Sequence, residues 1–241
     1  MKVCSITDVG RQREVNQDYV FCKSEPIGNL PNLFIVADGM GGHKAGDHAS
    51  RTCVSCVVES IEKSALVTPV SALEEAIKYA NTKIYEESVS NSAFEGMGTT
   101  FVGTVVCENR MFVANIGDSR LYIIKGDTIT QVTEDHSLVE AMIRNGELER
   151  KNAKFHPNKN IITRALGTGK EVIADYFEVN IDEGDVILMC SDGLSNMMDD
   201  EEMLKLIQKH GEDINTAGGK LVEKANANGG KDNISLILIQ I

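Results

Sequence analysis

The chain has 241 residues, 42% hydrophobic and 25% charged, which suits one globular α/β domain rather than two small ones. With 24 basic against 36 acidic residues the formal charge is −12, which argues against nucleic acid as a partner, because its readers carry a basic face. No apolar stretch approaches the ~20 residues of a membrane span. No secretory h-region follows Met1-Lys2-Val3-Cys4-Ser5, and the six cysteines are irregularly spaced, so a reducing, cytoplasmic setting without membrane insertion is expected.

In chain order, residues 33–37 form the first short run of branched apolar side chains and predict a buried strand. Residues 46–63 carry Ala49, Cys53, Cys56, Val57 and Ile61 on one helical stripe. A second helix is predicted over 69–88, with Leu73, Ala76, Ile77, Ala80 and Ile84 aligned, Thr68 as N-cap and Pro69 at the first helical position. Gly98-Thr99-Thr100 opens a strand at 101–106, which returns as 111–115 through Cys107-Glu108-Asn109-Arg110 in an antiparallel hairpin. Strands follow at 121–124, 186–190 and 234–241, and short helices at 135–145, 200–209 and 214–227. The acidic run Asp199-Asp200-Glu201-Glu202 reads as a first helical turn, where negative charge complements the dipole. The polar stretch 146–162 reads as an irregular surface excursion. The order of elements predicts a layered α/β fold with mainly antiparallel sheet; there is no GxGxxG or Walker loop.

The chemistry sits where strands end. The run 34–37 leads into Asp38-Gly39, and 187–191 into Asp192-Gly193. A carboxylate at the rim of an apolar core costs several kcal/mol or shifts its pKa unless a cation or hydrogen-bond donors compensate. Asp18, Asp118 in Gly117-Asp118-Ser119-Arg120, and Asp232 in Lys231-Asp232-Asn233 have similar surroundings. Taken singly, Asp-Gly pairs are ordinary turn residues. The five acidic turns together, two of them ending strongly apolar strands, also fit a shared site for a hard divalent cation such as Mg²⁺ or Mn²⁺. No His/Cys cluster has the spacing of a zinc site.

Six motifs occur in order: Asp8-Val9-Gly10-x-x-Arg13-x-x-Asn16-Gln17-Asp18, Val36-Ala37-Asp38-Gly39-Met40-Gly41-Gly42-His43, Gly98-Thr99-Thr100, Gly117-Asp118-Ser119-Arg120, Ser191-Asp192-Gly193 and Asp232-Asn233. The set resembles the protein phosphatase 2C (PPM) family, in its compact bacterial form, over nearly the whole chain. The resemblance implies two mainly antiparallel β-sheets packed as a sandwich and flanked by α-helices, one catalytic domain over 1–241, and a small flap at about 137–165. It implies metal-dependent hydrolysis of phosphoserine and phosphothreonine in proteins. Asp38 would bridge two Mn²⁺ or Mg²⁺ ions, one also held by Asp192 and Asp232. Gly39 would offer its carbonyl to the second, with Asp18 nearby through water, and Asp118 would share a third, weaker ion with Asp192.

Arg13 matches the arginine that grips the phosphate, a fork that lysine cannot reproduce. Two cations ~3.5–4 Å apart lower the pKa of a bridging water to give a hydroxide nucleophile. In-line attack then needs no phospho-enzyme. The chain departs from the family pattern in two places: Gln17 stands where many members have glutamate, and Met40 where eukaryotic members have a histidine. His43 is the nearest candidate for the general acid. The implied partners are phosphoproteins and a cognate serine/threonine kinase whose signalling the enzyme opposes; a monomer is expected.

Two other classes remain open: a silent phosphatase-like binding module, and a hydrolase of small phosphate esters. The first would be expected to lack a metal aspartate, yet Asp18, Asp38, Asp192 and Asp232 are all present. The Cys53/Cys56 pair has no second pair and reads as core packing. Cys190 reads as a buried continuation of its strand, His136 as a hydrogen-bonded structural residue, and Arg120 as a partner of local carboxylates.

Overall fold

A computed structural model of the chain describes residues 1–42, 45–153, 155–211 and 213–241. Strand β3 (Leu33–Met40) shows how the architecture arises, because its side chains alternate between two apolar environments. Phe34 and Val36 point one way, into a layer shared with Val102, Val113, Leu121, Ile187, Met189 and Ile237. Leu33, Ile35 and Ala37 point the other way, onto helices α1 (Ala45–Lys63) and α2 (Pro69–Ser90). A strand buried on both faces must lie between two further layers.

Six further strands complete the central part of the fold: β1 (Lys2–Asp8), β2 (Asp18–Lys23), β4 (Gly98–Thr99), β5 (Phe101–Cys107), β6 (Arg110–Ile116) and β7 (Arg120–Lys125). The rest of the chain adds β8 (Thr128–Gln131), α3 (Leu138–Arg144), α4 (Arg150–Ala153), β9 (Asp175–Asn180), β10 (Val186–Cys190), α5 (Asp192–Ser195), α6 (Asp200–His210), α7 (Ile214–Ala227) and β11 (Ile234–Gln240). One sheet has the order β1-β11-β10-β7-β8 and the other β2-β3-β5-β6-β9, with β4 added beside β3. The ladders within both are antiparallel.

The two sheets face each other across the Phe34/Ile187/Ile237 layer. Helices α6 and α7 cover the outer face of the first sheet, packing Met203 and Leu221 on Tyr122, Leu188 and Leu236. The expected sandwich flanked by helices is the observed fold. Each fully buried aliphatic side chain in these layers contributes about 1.5–3 kcal/mol. No helix among the described residues is long and apolar enough to cross a membrane.

Several local expectations need correction. Thr68 stands at the N-cap of α2, but its hydroxyl makes no capping bond; Pro69 alone marks the start. The helix expected over 135–145 begins only at Leu138, capped by Ser137, whose side chain accepts from the Glu140 N–H. Residues 135 and 136 are drawn away by side-chain bonds to the turn at 117–120. The stretch 146–162 contains one helical turn, α4. Cys53 is buried, Cys56 only half-buried, and both are free thiols.

Asn32 extends the β3–β5 ladder with its side chain, donating from Nδ2 to Val106 O and accepting from Val106 N, each at 2.8 Å. Asn32→Leu leaves both buried backbone groups unpaired. It is expected to cost about 1–3 kcal/mol, read as a lower urea midpoint with an unchanged slope.

Candidate active site

The carboxylates are assembled at one end of the sandwich, each brought there by a different segment. Asp38 near the end of β3 and Asp18 at the start of β2 face each other on one rung of the ladder. Side chains on such a rung lie about 4.5–5.5 Å apart at Cβ, so the pair repels when ionised. Thr100 holds the Asp38 backbone on both sides: Thr100 N donates to Asp38 O and Asp38 N donates to Thr100 Oγ1, each at 2.9 Å. The same hydroxyl lies 2.7 Å from Ser119 Oγ, which ties this rung to the β6–β7 turn carrying Asp118.

The other sheet contributes Asp192 and Asp232. Asp192 is the first residue of α5, separated from β10 only by the N-cap residue Ser191. Its neighbour must be glycine, since a Cβ on Gly193 would collide with the carbonyl of Asn233. That close approach places Asp192 beside Asp232. Ser191 Oγ donates to Asp18 Oδ2 at 2.7 Å and so joins the two sheets beneath the site.

The loop 9–17 forms the third wall. Arg11 N and Gln12 N donate to Gly230 O at 2.8 and 3.2 Å. Asn233, buried, binds the same loop three times: Nδ2 donates to Val9 O at 2.9 Å and Val15 O at 3.0 Å, and Oδ1 accepts from Gln17 N at 2.8 Å. These bonds present Arg13, whose Nη2 donates to Asp232 Oδ2 at 2.8 Å.

Arg13, Asp38, Asp118, Asp192 and Asp232 line one cleft of about 260 Å³, with Gly39 and Met40 on its floor and Asn160 and Ile162 from the stretch after α4. Asp18 is not on its surface; it is 3% exposed, behind Asp38. The electrostatics follow from this crowding. Burial, then the charges of Asp18, Asp192, Asp118 and Asp232, hold the Asp38 carboxyl well above the usual carboxylate range. Burial is also the chief cause of the upward shift at Asp18, where hydrogen bonds from Ser191 and Ser235 oppose it. Asp118 and Asp192 are raised by burial first, then by the nearby Asp192 and Asp232 charges respectively.

The donor set fits a hard divalent cation. It is all oxygen, and one buried atom, Asp18 Oδ1, has no hydrogen-bond partner. Among the described residues no three His, Cys, Asp or Glu side chains already close into a chelate. Mg²⁺-type sites do not need one, since such ions keep several waters and take one or two carboxylates.

His43 lies outside the described residues. Arg120 forks onto Asp135 with bonds of 2.7 to 3.1 Å, and Cys190 is fully buried, with burial pushing its thiol up to about 12. His48 has partners the sequence did not indicate: Glu87 at 2.6 Å and a stacked Phe94 ring at 4.2 Å. The sequence reading also missed the holding roles of Thr100, Ser191 and Asn233. All three lie inside the quoted motifs, but nothing in the spacing shows which backbone groups they bind.

The profile of the protein phosphatase 2C family matches residues 9–225. Serine/threonine phosphatase stp of Listeria monocytogenes serotype 4b is 40% identical over 240 residues, covering 97% of this chain and 93% of that protein. A solved serine/threonine phosphatase of S. agalactiae superposes with a TM-score of 0.92 at 31% identity, covering 100% of this chain and 99% of the other. The catalytic domain of the serine threonine protein phosphatase PstP, solved in complex with two manganese ions, superposes at 0.85 with 30% identity, covering 98% and 96%. The chain therefore belongs to the protein phosphatase 2C family and is a serine/threonine protein phosphatase of that type.

Proposed function

We propose that the chain is a single catalytic domain over 1–241 that hydrolyses phosphoserine and phosphothreonine in proteins with two Mn²⁺ or Mg²⁺ ions. The observation that carries this reading is the convergence of carboxylates from five separate segments on one cleft and the rung behind it. Asp38 would bridge the two ions, Asp192 and Asp232 would complete one, and the Gly39 carbonyl the other. Asp118 with Asp192 would hold a third, weaker ion, and Asp18 would act from behind Asp38. When bound, the metal pair supplies hydroxide at neutral pH and offsets phosphoryl charge.

The remaining work falls to the chain. Arg13, half-exposed at the mouth, moves from Asp232 to two phosphate oxygens as the ester enters, which fixes the phosphorus in line for attack. Asn160 and Ile162 border the cleft from the segment 137–165, which we assign as a flap beside the substrate. No cysteine or serine needs to act as nucleophile, which agrees with the burial of Cys190 and Ser191. Opposition to a serine/threonine kinase in a reducing cytoplasm is the biological setting proposed, and the six free cysteines are consistent with it.

Phosphate release from a phosphothreonine peptide tests this reading. Turnover is expected with Mn²⁺, none in excess EDTA, and almost none for Asp192→Ala at any Mn²⁺ concentration. Turnover that persists in EDTA, or a folded wild-type protein inert towards several phosphopeptides, overturns it.

A further inference from the structure

Residues 134–136 meet the turn bearing Asp118 at three points. Glu134 O accepts from Asn115 Nδ2 at 3.0 Å. Asp135 takes the Arg120 guanidinium at 2.7 Å. His136 grips Gly117 twice: its backbone N donates to Gly117 O at 2.9 Å, and its Nδ1 accepts from Gly117 N at 3.1 Å. Gly117 has φ +101, a conformation that local propensity does not hold, so these two bonds define it.

The same imidazole is tied to the segment beyond. Because Nδ1 accepts, the ring proton belongs on Nε2, which donates to Asp175 Oδ2 at 2.9 Å. Arg164 Nη1 donates to the other oxygen of that carboxylate at 2.9 Å. Burial alone would raise the Asp175 carboxyl, but the His136 and Arg164 bonds outweigh it and hold it below the ordinary range. His136 O accepts from Thr163 N at 2.7 Å, and Leu138 N donates to Ile161 O at 2.8 Å. Thus the two ends of the segment 137–163 are stitched together at His136, and its cleft-facing residues, Asn160 and Ile162, hang from that stitch.

We infer that His136 is a positioning residue of the reaction, one that sets the Asp118 turn and the cleft edge of the flap together. The inference rests on the assignment of Asp118 as a cation ligand for its consequence in turnover, but the mechanical coupling stands on the hydrogen bonds alone. A side chain 6% exposed that spans two functional elements transmits displacement of either to the other.

Hydrogen exchange on the metal-free protein tests the coupling directly. In His136→Ala the Gly117, Leu138 and Thr163 amides are expected to exchange together, about tenfold faster or more, while β5 and β6 stay protected. The Mn²⁺ concentration giving half-maximal phosphopeptide turnover is expected to rise about 10-fold or more, the usual scale for a lost outer-shell partner of a metal ligand. His136→Asn keeps an acceptor near the Nδ1 position and is expected to restore both Gly117 protection and the Mn²⁺ requirement.

Independent exchange of Gly117 and the flap amides overturns the coupling, as does equal loss of protection in β5 and β6. A folded His136→Asn protein that rescues nothing overturns the acceptor role. Asp118→Asn separates the two assignments. If it leaves the Mn²⁺ requirement unchanged while the joint exchange is seen, the ligand assignment of Asp118 fails and the clamp stands.

Discussion

Asp38→Asn is expected to abolish phosphopeptide turnover, by about a thousandfold or more, and to raise the melting temperature of the EDTA-treated protein. The first effect removes the carboxylate proposed to bridge both cations, and a thousandfold corresponds to ~4 kcal/mol of transition-state stabilisation. The second follows from the crowding. Burial first, and then the charges of four other aspartates, hold the Asp38 carboxyl well above the usual range. A neutral amide of the same shape relieves both the cost of burying the charge and that repulsion. A single pKa unit of relief is ~1.4 kcal/mol, or about 3–6 °C for a chain of this size.

With saturating Mn²⁺ the order reverses, because only the wild type gains the full binding energy. Scanning calorimetry with and without metal reads both signs. A lower melting temperature for Asp38→Asn in EDTA would refute this account of burial and repulsion.

The sign with pH follows from the same carboxylates. Asp18, Asp38, Asp118 and Asp192 all have raised values in the fold, so without metal the folded protein binds protons more readily than the unfolded chain. Their contribution therefore favours the fold at low pH, below their unfolded values. It is lost as pH rises through the folded ones, and bound metal is expected to suppress that loss.

The second large effect is expected at a residue that is assigned no chemical step. Asn233→Ala leaves Val9 O, Val15 O and Gln17 N without their side-chain partner. Counting partial relaxation and rehydration of these part-buried groups, the loss should be about 2–4 kcal/mol, less than three times the ~1–3 kcal/mol of one fully unpaired buried group. Because those three bonds hold the loop that carries Arg13, kcat/KM on a phosphopeptide should fall about a hundredfold through misplacement alone. Arg13→Ala should lower kcat/KM directly. In the double variant Asn233→Ala should then add little to the kinetic loss while keeping its full stability cost. Independent, multiplicative kinetic losses would show that Asn233 acts other than through Arg13.

Which strands the sequence reveals is decided by where they lie in their sheets. Strands β3, β5, β6, β7, β10 and β11 are interior to the two main sheet orders, buried on both faces, and visible as apolar runs. The unpredicted strands β1, β2, β8 and β9 are the four sheet edges. β1 buries only Cys4 and β8 buries nothing fully, so neither carries an apolar signal that exceeds its polar residues. Likewise Asp38 and Asp192 can be picked out because a charge at the end of an apolar run is conspicuous. Thr100, Asn233 and His136 bind backbone groups far away in sequence, and their partners exist only once the sheets have paired.

The pairing of β1 with β11 has a consequence for synthesis. β11 is interior to its sheet, between β1 and β10, and residues 9–17 are held by residues 230–233. A nascent chain emerging from the ribosome therefore carries β1 and the Arg13 loop unpartnered until residues 230–240 have been added. The helix-covered β3–β5–β6 unit can collapse early, since its contacts are comparatively local. Closure of the aspartate-lined cleft is expected to be a late event with a large loop entropy, characteristic of slow, high-contact-order folding. Ribosome-bound chains stalled before residue 234 should consequently be partly structured and catalytically mute.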